Sequence, residues 1–126
     1  MTPIDPSTVP AGPVVYLLHL HRPLRHARHY VGWTCDLRRR MTVHERGLAD
    51  SCAFLKACLR DGIGWDLVRV WTCDTREEAW ALEKRIKQSA SSSWNCPVCR
   101  DRQRARARLS MRRSRARRKA ALDNGA

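Results

Sequence analysis

Residues 30–47 read Tyr-Val-Gly-Trp-Thr-Cys-Asp-Leu-Arg-Arg-Arg-Met-Thr-Val-His-Glu-Arg-Gly, and a change of period inside this stretch decides the fold. Its first residues are aromatic, β-branched or small, a strand composition. Thr34 or Asp36 can then cap a helix that runs to about Arg46, where Gly47 offers a C-terminal stop. Leu37 and Met41 lie four apart and would face a sheet, while Arg40 and His44, also four apart, share the neighbouring stripe. A strand carrying Tyr30 thus runs into a helix that presents a guanidinium and an imidazole one turn apart.

Working outward toward the start, Arg28 to Trp33 is expected as a strand, joined by Arg22 to Ala27, with Pro23 and several charges, to an earlier strand at Val14 to His21. That earlier run is continuously apolar and β-branched, the mark of a strand buried on both faces. A short connection favours antiparallel pairing. Residues 1–13 hold Pro3, Pro6, Pro10 and Pro13 with Gly12 and are expected to form a flexible leader. Working outward toward the end, Asp50 or Ser51 can start a second helix through Arg60 that packs with Ala53, Phe54, Ala57 and Cys58. Asp61-Gly62-Ile63-Gly64 ends it. Trp65 to Thr72 reads as a third strand. Thr75 and Glu78 form a capping-box pattern before a helix to about Gln88 with Ala79, Leu82 and Ile86 as its seam and Glu83 on the seam's edge. Ser89 to Ser93 break that helix, and Cys96-Pro97-Val98-Cys99 is expected as a closing turn. The predicted organisation is a leader over 1–13, one domain over 14–99 and an Arg-rich tail over 100–126.

Charge is concentrated in the tail. Of the net +13, residues from Arg100 onward carry +9. The cations are Arg100, Arg102, Arg104, Arg106, Arg108, Arg112, Arg113, Arg115, Arg117, Arg118 and Lys119, interleaved with Ala and Ser. Such a polycation favours a phosphate polyanion, because neutralising phosphates releases condensed counterions. Ala and Arg are strong helix formers, but like charges oppose an isolated helix, so the tail is expected to be disordered or to become helical on nucleic acid. The tail has no apolar face for a membrane surface, and no apolar run is long enough to span a bilayer. The first residues lack the features of a secretory signal. A cytoplasmic setting is therefore expected, with all six cysteines as thiols.

The order Tyr16, Tyr30-Val31-Gly32, Arg40, His44 and Glu83 resembles the GIY-YIG nuclease superfamily, whose enzymes cut nucleic-acid phosphodiesters with the help of a metal ion. Val14-Val15-Tyr16 stands where the family name has Gly-Ile-Tyr, and Val31 replaces the isoleucine of the second motif. Tyr16, Tyr30 and Gly32 are retained, and the stretch from Tyr30 to Gly47 is the strongest match. The chain is also similar to small predicted endonucleases of actinobacteria that end in a Cys-Pro-x-Cys turn. The resemblance implies an α/β fold, a small three-stranded antiparallel sheet flanked by helices. It implies Tyr16 as the preferred acceptor of the attacking water's proton, with Tyr30 as partner or alternate base. Arg40 would clamp the phosphate, His44 would support the tyrosine or the leaving group, and Glu83 would hold one Mg²⁺ or Mn²⁺ ion. Gly32 and Asn95 would support the site. The implied activity is endonucleolytic hydrolysis of nucleic acid, DNA ahead of RNA, with a monomer as the simplest form.

Bland readings stand beside these. Strand tyrosines usually pack, Arg40 lies in an arginine run that is commonly solvated, and Glu83 can pair with Lys87 one turn on. Cys96 and Cys99 have the spacing of half a zinc site, but the other cysteines and the histidines are scattered singly, so a tight turn is the preferred reading over Zn²⁺. Most of the tryptophans are expected to cover the sheet, with Trp33 or Trp94 able to stack a base. The alternative to an enzyme is a non-catalytic nucleic-acid-binding protein on a degenerate nuclease fold.

Overall fold

A computed structural model describes residues 3–88 and 95–124. Trp94 and the expected break at Ser89 to Ser93 lie outside the described residues. The chain forms strands β1 (Val14–Leu24) and β2 (Ala27–Thr34), helices α1 (Leu37–Glu45) and α2 (Ala53–Arg60), strand β3 (Trp65–Thr72), and helices α3 (Arg76–Gln88) and α4 (Pro97–Asn124). The sheet is antiparallel, with order β2-β1-β3. Its central strand is the one with the continuous apolar run, and every residue from Val14 to Leu20 is buried.

Alternation along β1 divides the interior in two. Val14, Tyr16, Leu18 and Leu20 face α1 and α2, joining Leu37, Met41, Leu55, Cys58 and Ile63. Val15 and Leu17 face the other way, toward Val31, Val68, Ala79 and Ile86, with Cys96 and Cys99 in the same cluster. Both stripes of α1 and the seam of α3 fall where their periods put them. Asp36 caps α1 through its carboxylate, which accepts from the Arg39 N–H at 3.2 Å, and Gly47, at φ +60, ends it in the left-handed region. Thr75 Oγ1 accepts from the Glu78 N–H at 3.1 Å while Glu78 reaches back to the Asp74 N–H at 3.0 Å, a reciprocal cap for α3.

Four expectations are corrected. The leader is tied to the domain at two points: the Ile4 N–H donates to the Leu67 carbonyl at 2.8 Å, and Ile4 and Val9 lie against the core. β1 continues through Pro23 to a two-residue turn at Arg25-His26, with Arg25 at φ +56. Proline is tolerated there because β1 has run past its last β3 partner, so no neighbour needs its missing N–H. α2 begins at Ala53 with no side-chain cap, and it buries Leu55 and Cys58 while Ala53 stays exposed. Finally, Cys96-Pro97-Val98-Cys99 opens a helix instead of closing a domain as a turn. Pro97 supplies the first helical residue, where its lack of N–H costs nothing, and the Arg100 N–H donates to the Cys96 carbonyl at 3.0 Å. The Arg-rich tail continues that helix to Asn124, exposed from Asp101 to Leu122.

Candidate active site

Tyr16 and Tyr30 project from the α1/α2 face of the sheet, Tyr16 from the central strand and Tyr30 from the edge strand two residue pairs along. Tyr16 stands directly opposite Gly32. A Cβ on Gly32 would lie 2.5 Å from Tyr16 Cζ, so the glycine clears the space that the phenol occupies. The two tyrosine rings are 6.1 Å apart at their centroids, and Tyr30 stacks on Phe54 of α2 at the same separation with 13° between planes.

The inner stripe of α1 brings His44 to these phenols. His44 is fully buried, its Nε2 is 2.9 Å from Tyr16 Oη, and its Nδ1 is 2.8 Å from Ser51 Oγ. Ser51, an expected helix cap, is instead buried and bonded to the imidazole, and the N-cap position of α2 falls to Cys52, which makes no side-chain cap bond. Sequence reasoning missed this residue because a serine at a helix start ordinarily signals a cap. Burial, then the nearby Arg40 cation, hold His44 down at about 4, so it is neutral near pH 7. Tyr16 is raised above its ordinary value, chiefly by burial, with Arg40 and Tyr30 acting in the opposite direction. Tyr30 is raised as well, by burial and then by the neighbouring Tyr16. Arg40 donates to the Asp50 carbonyl at 2.9 Å, which anchors its guanidinium beside the phenols. The cluster is thus a neutral hydrogen-bonded line, Ser51 to His44 to Tyr16, edged by one cation and a second phenol.

Glu83 approaches from the other side of β2. The seam of α3 packs on the opposite sheet face, but β2 is an edge strand, and the helix lies along it. Glu83 Oε1 pairs with Lys87 Nζ at 2.5 Å, and that ammonium lies 5.9 Å from the Tyr30 ring centroid. Lys87 thus lies between the Glu83 carboxylate and the Tyr30 ring at the sheet edge, while the seam of α3 stays on the face opposite the phenols. Asn95 is placed elsewhere. Its side-chain oxygen accepts from Arg69 of β3 at 3.1 Å, and Arg69 sits on the α3 face, over Trp71. Trp33 also lies on that face, away from the tyrosines, and Trp80 is a surface residue covered by Lys84, 3.9 Å from its ring.

A groove lies between the tip of the β1–β2 hairpin and α2. Phe54 forms part of its wall, and Arg22, Arg25 and Arg60 line it. No helix among the described residues is long and apolar enough to cross a membrane.

No curated protein and no solved structure matches the chain significantly. The family described as GIY-YIG catalytic domain does match, over residues 14–95. That span takes in β1 with Tyr16, β2 with Tyr30 and Gly32, the Arg40–His44 helix and the Glu83 helix, so the chain belongs to the GIY-YIG catalytic domain family.

Proposed function

We propose that this protein is a divalent-metal-dependent endonuclease that hydrolyses phosphodiester bonds in nucleic acid, DNA ahead of RNA. The observation that carries this reading is the buried line Ser51–His44–Tyr16, with Oη of Tyr16 held 2.9 Å from a neutral imidazole nitrogen. A phenol whose ionisation is pushed up by burial is not a free phenolate at neutral pH. It can still accept a proton if it passes its own to a neighbour in the same step. Water attacks phosphorus and gives its proton to the Tyr16 oxygen, the Tyr16 proton moves to His44 Nε2, and the bond from phosphorus to the leaving oxygen breaks, that oxygen taking up a proton from solvent water. Ser51 Oγ then accepts from the imidazolium Nδ1–H. Arg40 is placed to take the phosphate charge. Charge neutralisation there also removes the smaller of the two influences that weaken His44 as a base.

The Glu83 carboxylate fits a hard divalent cation. It is a single oxygen donor group, largely buried, and already holds a cationic group, the Lys87 ammonium, at 2.5 Å. Mg²⁺ and Mn²⁺ are commonly bound by one carboxylate plus waters and substrate phosphate. Such an ion held on Glu83 would supply electrophilic stabilisation of the phosphate. Phe54, which stacks on Tyr30, also lines the arginine-bearing groove, a cationic surface for a nucleic-acid strand next to the phenols.

A nicking assay with Mg²⁺ against EDTA tests the reading. Metal-dependent cleavage is expected, falling by about 10²-fold or more in Tyr16→Phe and in Glu83→Gln while nucleic-acid binding persists. Undiminished cleavage in both variants would return the assignment to coincidence. The seating of Lys87 on Glu83 favours one alternative, a domain that binds nucleic acid without cutting it. Absence of metal-dependent nicking alongside tight binding supports that alternative.

A further inference from the structure

His19 of β1 and His29 of β2 are directly paired across the strands and project from the sheet face opposite the tyrosines. Cys96 and Cys99 sit three apart across the first turn of α4, which packs on the same face. All six cysteines are free thiols, so no disulfide competes for this pair. Four potential ligand atoms, one from each residue, lie within 4.8 Å of one another.

The individual distances are more telling than the envelope. His19 Nδ1 is 3.3 Å from His29 Nε2, 3.4 Å from Cys96 Sγ and 3.7 Å from Cys99 Sγ, and His29 Nε2 is 3.3 Å from Cys99 Sγ. A tetrahedral zinc ion with bonds of roughly 2.0–2.3 Å sets ligand-to-ligand edges of roughly 3.3–3.8 Å. Every one of these four edges falls in that range. Hydrogen bonding does not account for the arrangement. A neutral imidazole nitrogen has one proton or one lone pair to offer, yet His19 Nδ1 faces three partners at once. The atoms converge on a common point.

We propose that His19, His29, Cys96 and Cys99 form a structural Zn²⁺ site. Two thiolates and two imidazoles in tetrahedral array suit Zn²⁺ and disfavour Mg²⁺ or Mn²⁺, which prefer oxygen. All four positions are filled by protein, and His19, Cys96 and Cys99 are buried among Val15, Leu17 and Val31, so the site is closed to substrate. It is separate in place and chemistry from the carboxylate at Glu83. Cys96 and Cys99 also lie beyond the residues 14–95 that the catalytic-domain family matches. The ion fastens the first turn of the arginine-rich helix to the β1–β2 hairpin, joining chain segments 67 residues apart between His29 and Cys96. In doing so it fixes the direction in which the cationic helix leaves the sheet.

Metal analysis of the full-length protein, purified and then equilibrated with equimolar ZnCl₂ before desalting, is expected to find one zinc per chain. X-ray absorption at the zinc edge is expected to show a shell of two sulfur and two nitrogen neighbours. Cys96→Ser combined with Cys99→Ser removes the zinc, whereas Glu83→Gln retains it, and chelation of the wild-type protein lowers its Tm. If the double variant does not fold, the absorption spectrum of the wild-type protein still decides the question. Substoichiometric zinc in the equilibrated wild type, a shell without sulfur, or full zinc retention by a folded double variant would each overturn the site.

Discussion

Across β1 and β2 the ring of Tyr16 occupies the space that a side chain on Gly32 would need. Here the glycine matters for what it lacks, a Cβ, and not for its backbone freedom. Gly32→Ala forces Tyr16 out of position, because the obstructing atoms belong to a buried ring and not to the end of a flexible chain. The expected cost is about 1–3 kcal/mol of stability, together with loss of the bond from Tyr16 to His44 and hence of cleavage. Denaturant titration and single-turnover cleavage of the variant read the two effects, and wild-type values for both would contradict the geometry. His44 gives a second prediction at this scale. Its folded-state value of about 4 lies below the ordinary histidine value because burial, then Arg40, disfavours the cation. As pH falls from the ordinary value toward that folded value, the unfolded chain takes up a proton that the folded chain does not. The contribution of His44 to stability is therefore complete above the ordinary histidine range, declines through mildly acid pH, and levels off below about 4. Replacing it by glutamine, which stays neutral, should flatten the dependence of unfolding free energy on pH in that window, and an unchanged slope would refute the assignment.

At the scale of elements, the chain between α1 and α2 positions the imidazole. Ser51→Ala leaves His44 Nδ1 buried without its 2.8 Å partner. The expected destabilisation is roughly 1–3 kcal/mol, accompanied by slower cleavage at an unchanged substrate affinity. Wild-type kinetics would show that Ser51 only fills space. Such a partnership is not visible in a sequence, since a serine near a helix start reads as a cap, whereas here the cap position is Cys52 and the serine's target lies on the preceding helix. What was legible followed from periods and stop signals: the doubly buried run of β1, the Leu37 and Met41 stripe, the Gly47 stop, the bounds of β3 and the reciprocal cap of α3. Tyr16, Tyr30, Arg40 and His44 were legible as a group because three of them lie within one strand and the helix that follows it. Pairing across the sheet was not. His19 and His29 looked like isolated histidines, since only the strand register sets them opposite one another and only the start of α4 carries Cys96 and Cys99 to them. Asn95 illustrates the converse, a residue with the expected spacing that the fold directs to Arg69.

On the scale of the whole molecule, the proposed function assigns holding and cutting a polyanion to two different parts. α4 has 28 residues, about 42 Å at the helical rise, and its cations are spread around its full circumference. A helix that is polar all round has no seam to bury against its own domain. The exposed cations from Arg102 onward are therefore available to phosphates, while the proposed catalytic tyrosines and His44 sit on the other face of the sheet. Affinity from such a helix is electrostatic and independent of sequence, each neutralised phosphate adding about 0.9 to the slope of log affinity against log salt on duplex DNA. Truncation after Asp101 keeps Cys96, Cys99 and the first turn of α4 and removes ten of the eleven tail cations. The truncated protein should bind duplex DNA more weakly at low salt, with a slope shallower by several units. Its single-turnover cleavage rate at saturating DNA should remain within a few-fold of the full chain, because the phenols, His44 and Glu83 are untouched. Binding measured across a salt series, paired with single-turnover rates, separates the two contributions. An unchanged salt slope would mean that the phosphates are held elsewhere, with the groove lined by Arg22, Arg25 and Arg60 as one such cationic surface.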